Sequence, residues 1–402
     1  MLSILTVLVC LGVLVLLARP SVLASDYWRA TATPLASIIG SGFLVSVPIL
    51  RDVVGQWAVV PMFGLLVVSY LIGAAIRDNI LHVEPLMHNG DAAKPIAAVE
   101  RLSHLALSFA YFVSVAYYLV LFATFLLKSF NVEHAELAKL IVSAILLFIA
   151  VLGVWRGFRA VEGLEIYAVS AKLAVIAGLL VALAIFDAMD LIGNGSGVSE
   201  MSGHFDAADV PILMGLLILV QGFETSRFLG ESYPAGLRIR TMKTAQILSA
   251  AIYIAFFLLM TPLIGTDSHE IGVAAIVDML QPVALVLPPL IIIGALASQS
   301  SAAIADAIGA GGLINDITKG RIPVRYTYPW IAGIAALVTW ETDVFSLITL
   351  ASRCFALYYA LECLVAMMST FKRADYWRAA GYAALMVLCA AIVIFGTPAE
   401  GG

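Results

Sequence analysis

The sequence predicts an all-α polytopic membrane protein of about twelve transmembrane helices in a single domain over residues 1–402. Three observations carry this. Of the 402 residues, 62% are hydrophobic and only 12% charged, with a mean hydropathy of +1.02. Soluble domains run to about 25% charged residues and about half apolar ones, so a soluble globular protein is excluded. Apolar stretches of spanning length recur along the chain, and twelve of about 20 residues would use roughly 240 residues and leave short loops. Lysine and arginine also fall on alternate loops, as membrane insertion requires.

The spans are expected at 2–18, 31–50, 56–76, 97–127, 136–155 and 160–187, then at 208–232, 242–265, 280–308, 326–340, 343–370 and 377–396. The first lacks a preceding positive residue, and Arg19 and Arg29 follow it. That polarity favours an uncleaved anchor with its N-terminus outside, with cleavage after Val22-Leu23-Ala24 as the alternative. Arg29 and Arg51 bracket the second span, and Arg77 closes the third. Lys94 and Lys128 flank the fourth, Glu136 and Arg156 the fifth, and the sixth encloses Lys172. The seventh holds Glu224 and Arg227, Lys243 opens the eighth, and the ninth ends near Asp306. Arg325 precedes the tenth, the eleventh holds Arg353 and Glu362, and Arg378 opens the twelfth.

With the N-terminus outside, sixteen Lys and Arg residues fall on the cytoplasmic side, and three, Arg51, Lys128 and Lys139, on the other. Both termini are therefore expected outside the cytoplasm, with the protein integral to the inner (plasma) membrane. The net charge of -5 and the absence of a basic tract give no support to nucleic-acid binding. Cys10, Cys354, Cys363 and Cys389 lie in apolar runs and read as packing residues. His82 and His88 occupy a polar loop, and no spacing resembles a zinc site, a P-loop or a nucleotide-binding glycine motif. No metal or other cofactor is expected, and neither ATP-driven transport by this chain alone nor an enzymatic role finds support.

Two spans carry an expected break. Gly40-Ser41-Gly42 interrupts the second, and Gln221-Gly222-Phe223-Glu224 the seventh. A membrane helix breaks only where protein or a water-filled cavity satisfies the released backbone groups. Gly40-Ser41-Gly42 also fits a tight crossing of helices through small residues. A glutamate at mid-depth is costly and usually functional. Broken helices in corresponding positions of two five-helix halves point to an inverted-repeat transporter, with repeats at 31–187 and 208–370. Half-helix N-termini would face an anion, and freed carbonyls a cation.

Lys172 lies too deep to snorkel easily, and reads either as a proton-exchanging group or as a cap on backbone carbonyls. Glu224 either faces the central cavity or ties the broken helix together. Arg227 and Glu231, four apart, suit an ion pair. Asp306 is a gate candidate. Arg353 stands nine residues before Glu362, about 13 Å along a helix, and reads as an anion-attracting gate or a carbonyl cap. Tyr111, Tyr117 and Tyr118 are candidates for the cavity wall.

Ile39-Gly40-Ser41-Gly42-Phe43 resembles the first core helix of the amino acid–polyamine–organocation (APC) transporters. Gly222-Phe223-Glu224, followed by Glu231, resembles their sixth. The resemblance covers residues 31 to about 370 as ten core helices of the leucine-transporter type, with one helix added at each end. It implies a secondary transporter moving an amino acid or related small amine by alternating access. Backbone groups at Gly40, Ser41 and Gly42 would bind the substrate carboxylate, and carbonyls near Gln221, Gly222 and Phe223 its amino group. Sodium-independent members place a lysine where Lys172 stands, between the first and eighth core helices, and Ser300 and Ser301 match hydroxyls that elsewhere help coordinate sodium. The expectation is proton coupling through Lys172. This chain reads Glu231-Ser232-Tyr233-Pro234 where the family usually has Asn-Pro after the second acid, and Asp306 where many relatives carry a basic residue. The partners expected are a small-molecule substrate, protons and the lipid bilayer. The alternatives are a permease for an inorganic ion or nucleobase on the same scaffold, and a non-transporting sensor or assembly subunit; the chain has neither the soluble output domain nor the long tail expected of a sensor.

Overall fold

The structure is a computed structural model that describes residues 2–132, 134–155, 165–194, 203–264 and 272–399. Arg156, Arg159 and the start of the expected 160–187 span lie outside the described residues, as does the side chain of Ser41. The regular elements are all helical among the described residues. The long ones are α1 (Leu2–Leu17), α2 (Asp26–Val54), α3 (Val59–His82), α4 (Lys94–Lys128), α5 (Ala135–Trp155) and α6 (Glu165–Asn194). After an interrupted segment come α7 (Ala235–Ile264), α8 (Leu287–Ile317), α9 (Tyr328–Glu341), α10 (Val344–Lys372) and α11 (Tyr376–Phe395). Eight helical stretches are long and apolar enough to cross a membrane, and one of them, Asp26–Asn89, runs through two expected spans. α1 and α9 are shorter, at 16 and 14 residues.

Helix boundaries follow local chemistry. Ser25 caps α2 by accepting the Trp28 N–H at 3.4 Å, and Asp343 caps α10 by accepting from Phe345 and Ser346 at 2.9 and 3.0 Å. Side-chain oxygens at these positions satisfy N–H groups that the first helical turn leaves free. α4 lies at the centre, against α8 and α10, while α2 packs on α7, α9 on α5 and α11 on α10. The added helix α1 runs along α6, where a Cβ on Gly178 would stand 2.3 Å from the Cys10 sulfur. Phe63, Leu147, Phe148, Val387 and Ile394 are exposed on the outer faces. In a chain of this composition such apolar faces meet acyl chains.

One expected break is absent. α2 stays helical from Asp26 to Val54, through Gly40-Ser41-Gly42, and neither glycine has a positive φ. Their missing side chains allow close approach instead. A Cβ on Gly42 would fall 2.5 Å from the Leu219 Cα, and one on Gly40 would fall 3.3 Å from both Lys172 Nζ and Ser298 Oγ.

Candidate functional site

The second expected break is present. Val210–Met214 is α-helical, Leu217–Val220 and Phe223–Leu229 are 3-10 turns, and between them Gly222 takes φ +115°. An L side chain rarely adopts that conformation, so glycine is required here. The backbone groups released by the break are met one by one. Ile218 N–H donates to Ser352 Oγ at 2.9 Å, and Tyr253 OH donates to Leu219 O at 2.6 Å. Ser69 Oγ donates to Val220 O at 3.1 Å, and Gly222 N–H to Glu224 Oε2 at 2.9 Å. Unpaired backbone groups at this depth would each cost several kcal/mol, so these side chains are a condition of the break.

The segment crosses α2 at two glycine contacts. Gly42 meets Leu219, and Gly222 lies so near α2 that a Cβ would stand 2.5 Å from Ser37 Cβ. Tyr253 spans the crossing, since its hydroxyl also lies 3.2 Å from Ile38 O. Around it, Phe43 packs on Phe256 at 4.5 Å and on Tyr253 at 5.3 Å, which fills one side of the crossing.

On the other side a cavity of about 780 Å³ opens toward exposed His88, Glu231 and Asp316, on the face bearing the Lys- and Arg-rich loops. Its inner end is formed by Ser37, Thr225, Tyr111 and Asp306. Asp306 is buried and accepts from Ser114. Glu224, also buried, accepts from Tyr359 OH at 2.7 Å, and its Oε1 has no hydrogen-bond partner among the described residues. Tyr111 lies within electrostatic reach of both acids. Gln221 donates to Tyr118 OH at 2.8 Å and keeps its own Oε1 unpartnered among the described residues. The ring of Phe223 stacks on Tyr359 at 5.1 Å. Gln221, Gly222, Phe223, Glu224, Tyr111 and Asp306 are thus brought together. Gly40 and Gly42 lie on the adjoining helix.

Lys172 is buried between α2 and α8, beside a void of about 40 Å³ also lined by Gly40, Ser298 and Gln299. Gln299 Nε2 lies 3.4 Å from Gly40 O. Of the hydroxyls at 298–301, it is that of Ser298 that lines this void with the lysine. Ser300 and Ser301 bond back to their own helix, at Leu296 O (2.8 Å) and Ser298 O (2.9 Å), and Ser301 faces the larger cavity. A helix turns about 100° per residue, so a shift of two or three positions moves a hydroxyl to another face.

One further expectation, the pairing of Arg227 with Glu231, is corrected, and for Arg353 the structure shows a carbonyl cap and not a cavity gate. Arg227 pairs with Glu100 and Glu362, while Glu231 is exposed. The partners stand 127 and 135 residues away, beyond the reach of a spacing argument. Arg353 is exposed in an outer groove with Leu105, Phe109 and Trp330, away from the cavity, and donates to Val393 O at 2.6 Å. Gly396 follows α11 there, so the arginine caps carbonyls at a helix end, where a positive charge is favoured. Tyr253, Ser352 and Ser298 carried no motif that would mark them in sequence. Among the described residues no group of three or more His, Cys, Asp or Glu side chains is placed to hold a metal ion.

Residues 20–396 match the sequence model of a family of APC superfamily transporters. An uncharacterized protein of Aquifex aeolicus (strain VF5) is 38% identical over 377 residues, 93% of this chain and 91% of that protein. Among solved structures, a manganese transporter from Eremococcus coleocola, in complex with an aromatic bis-isothiourea substituted compound, aligns at TM-score 0.52. A histidine-to-alanine mutant of that transporter aligns at 0.55. Each is 13% identical and covers 92% of this chain and 87% of its own. That likeness is one of fold.

Proposed function

The chain belongs to the APC superfamily of transporters, and from that premise we propose that it is a secondary transporter of an amino acid or related small amine. It works by alternating access on the five-plus-five repeat, in the inner membrane with both termini extracytoplasmic, and is coupled to protons through Lys172.

The observation that supports this reading is a pair of buried acids, Asp306 at the inner end of a deep cavity and Glu224 next in the chain to the lining residue Thr225. Glu224 Oε1 and Gln221 Oε1 are buried acceptors without a hydrogen-bond partner among the described residues. Arg227, the arginine of the cavity wall, is already engaged by two glutamates. Acceptors without donors favour a ligand that brings its own N–H groups and positive charge. Because α2 stays helical at Gly40–Gly42, its N–H groups are less available to a carboxylate than a break would make them. Recognition of the ammonium group therefore dominates in this reading.

Uptake of labelled amino acids and amines into proteoliposomes under an imposed pH gradient tests it. Glu224→Gln and Asp306→Asn should each lower uptake at subsaturating substrate by about tenfold, or about 1.4 kcal/mol. Unchanged uptake in both variants would overturn the assignment. A divalent metal ion is the second reading, favoured by the fold shared with a manganese transporter. Manganese uptake that amines do not inhibit would select it.

A further inference from the structure

A second charged centre lies beside the cavity. Arg227, on the half-helix after the break, donates to Glu100 on α4 and to Glu362 on α10. The three side chains are 5%, 4% and 0% exposed. Glu362 also accepts from Asn79 Nδ2 at 2.8 Å and from Ser103 Oγ at 2.9 Å. Glu100 Oε2, Asn79 Oδ1 and the Tyr358 hydroxyl are buried and have no hydrogen-bond partner among the described residues.

Two carboxylates on one guanidinium leave a negative charge without a counterpart. A buried uncompensated charge is costly, and carboxylates crowded at one site commonly share a proton. The other titratable or charged groups around the centre are few. His104 on α4 places Nε2 3.6 Å from Glu100 and is half-buried. Arg238 on α7 is committed to Arg227 O at 2.7 Å and to Glu84 at 2.8 Å. Tyr358 stands one turn before Glu362 on α10, and α3 contributes the neutral Asn79.

Resting on the reading of the chain as a secondary transporter, we propose that Glu100, Arg227 and Glu362 form a proton-binding site whose occupancy frees the 223–229 half-helix from one of its two anchors, on α4 or on α10. A hydronium ion breaks one of its O–H bonds and leaves as water, its proton bonds to a Glu100 or Glu362 oxygen, and that oxygen releases its Arg227 N–H. No other bond changes. Because Arg227 also lines the cavity, its release widens the passage below Asp306.

Hydrogen exchange of peptides covering 223–229, in the full chain in nanodiscs, reads this without any substrate. Exchange times are scaled for the chemical rate. Between about pH 8 and about pH 5 the wild-type segment should exchange about threefold faster at the acid end. Glu100→Gln and Glu362→Gln mimic the protonated acids, so each should show the fast level at both pH values. His104→Gln should keep the transition. Gel filtration and melting at high pH identify any variant that fails to fold, and the wild-type transition and the remaining glutamine variant then carry the test. A wild-type segment without a transition, a transition unaltered in the glutamine variants, or one lost only in His104→Gln would overturn the proposal. Failure of amine uptake with this transition intact would instead count against the transport reading alone.

Discussion

Gly40 and Gly42 stand two residues apart on α2, yet the structure assigns them opposite tolerances. A methyl on Gly42 would meet the Leu219 backbone at 2.5 Å, and backbone at a helix crossing does not move aside. A methyl on Gly40 would meet the ends of two side chains at 3.3 Å, one of them a flexible lysine. Gly42→Ala should therefore lower the melting temperature in detergent by an amount equivalent to about 1–3 kcal/mol, and Gly40→Ala by less than about 1 kcal/mol. Equal losses would show that the crossing is misplaced. At Lys172 the same scale of argument concerns function. The ammonium sits against α2 and α8, so Lys172→Ala should abolish uptake driven by a pH gradient while leaving the protein folded. Retained gradient-driven uptake would remove the lysine from the coupling mechanism. The buried position of Lys172 was legible in the sequence because the residue lies midway along a long apolar run. Ser298 and the partners of Arg227 were not, since hydroxyls abound on α8 and ion pairs across distant helices leave no spacing.

The two glycine-containing elements show why one break was legible and the other was not. Glycine serves a backbone either by freeing its dihedrals or by admitting a neighbour, and sequence alone does not separate these uses. In the seventh span Glu224 beside Gly222 tips the balance, because the acid can bond the freed N–H and does so at 2.9 Å. In α2 the glycines admit neighbours, and the helix continues. The broken element depends on distant side chains to hold its released groups. Tyr253→Phe removes the donor shared by Leu219 O and Ile38 O and should cost about 1–3 kcal/mol, the penalty for a buried acceptor left unpaired. A melting temperature equal to wild type would mean that water replaces the hydroxyl. At the start of α10, Asp343→Ala removes a cap from two N–H groups and should cost about 0.5–2 kcal/mol by the same measurement.

The whole molecule was legible wherever hydropathy decides it: the order of the long helices among the described residues follows from runs of apolar residues between charged ends. The cavity was not, because its walls come from side chains on α2, α4, α8 and the broken segment, and which faces converge is a matter of packing. Its position carries a prediction about the molecule in the bilayer. The cavity opens toward His88, Glu231 and Asp316, on the face with the Lys- and Arg-rich loops, while Phe43, Tyr253 and Phe256 close the other side. If that face is cytoplasmic, the structure is inward-facing. Gly312 lines the cavity, and a Cβ there would meet nothing within 4 Å, so a cysteine at this position reports access without disturbing the wall. With Cys10, Cys354, Cys363 and Cys389 replaced by alanine, Gly312→Cys should react with a membrane-impermeant thiol reagent in inside-out vesicles and stay unreacted in right-side-out ones. Reaction from the outside alone would invert the topology, and no reaction from either side would close the cavity. A saturating substrate that draws the protein toward its outward-facing state should slow the reaction, since ligands redistribute pre-existing conformations according to their differential affinity.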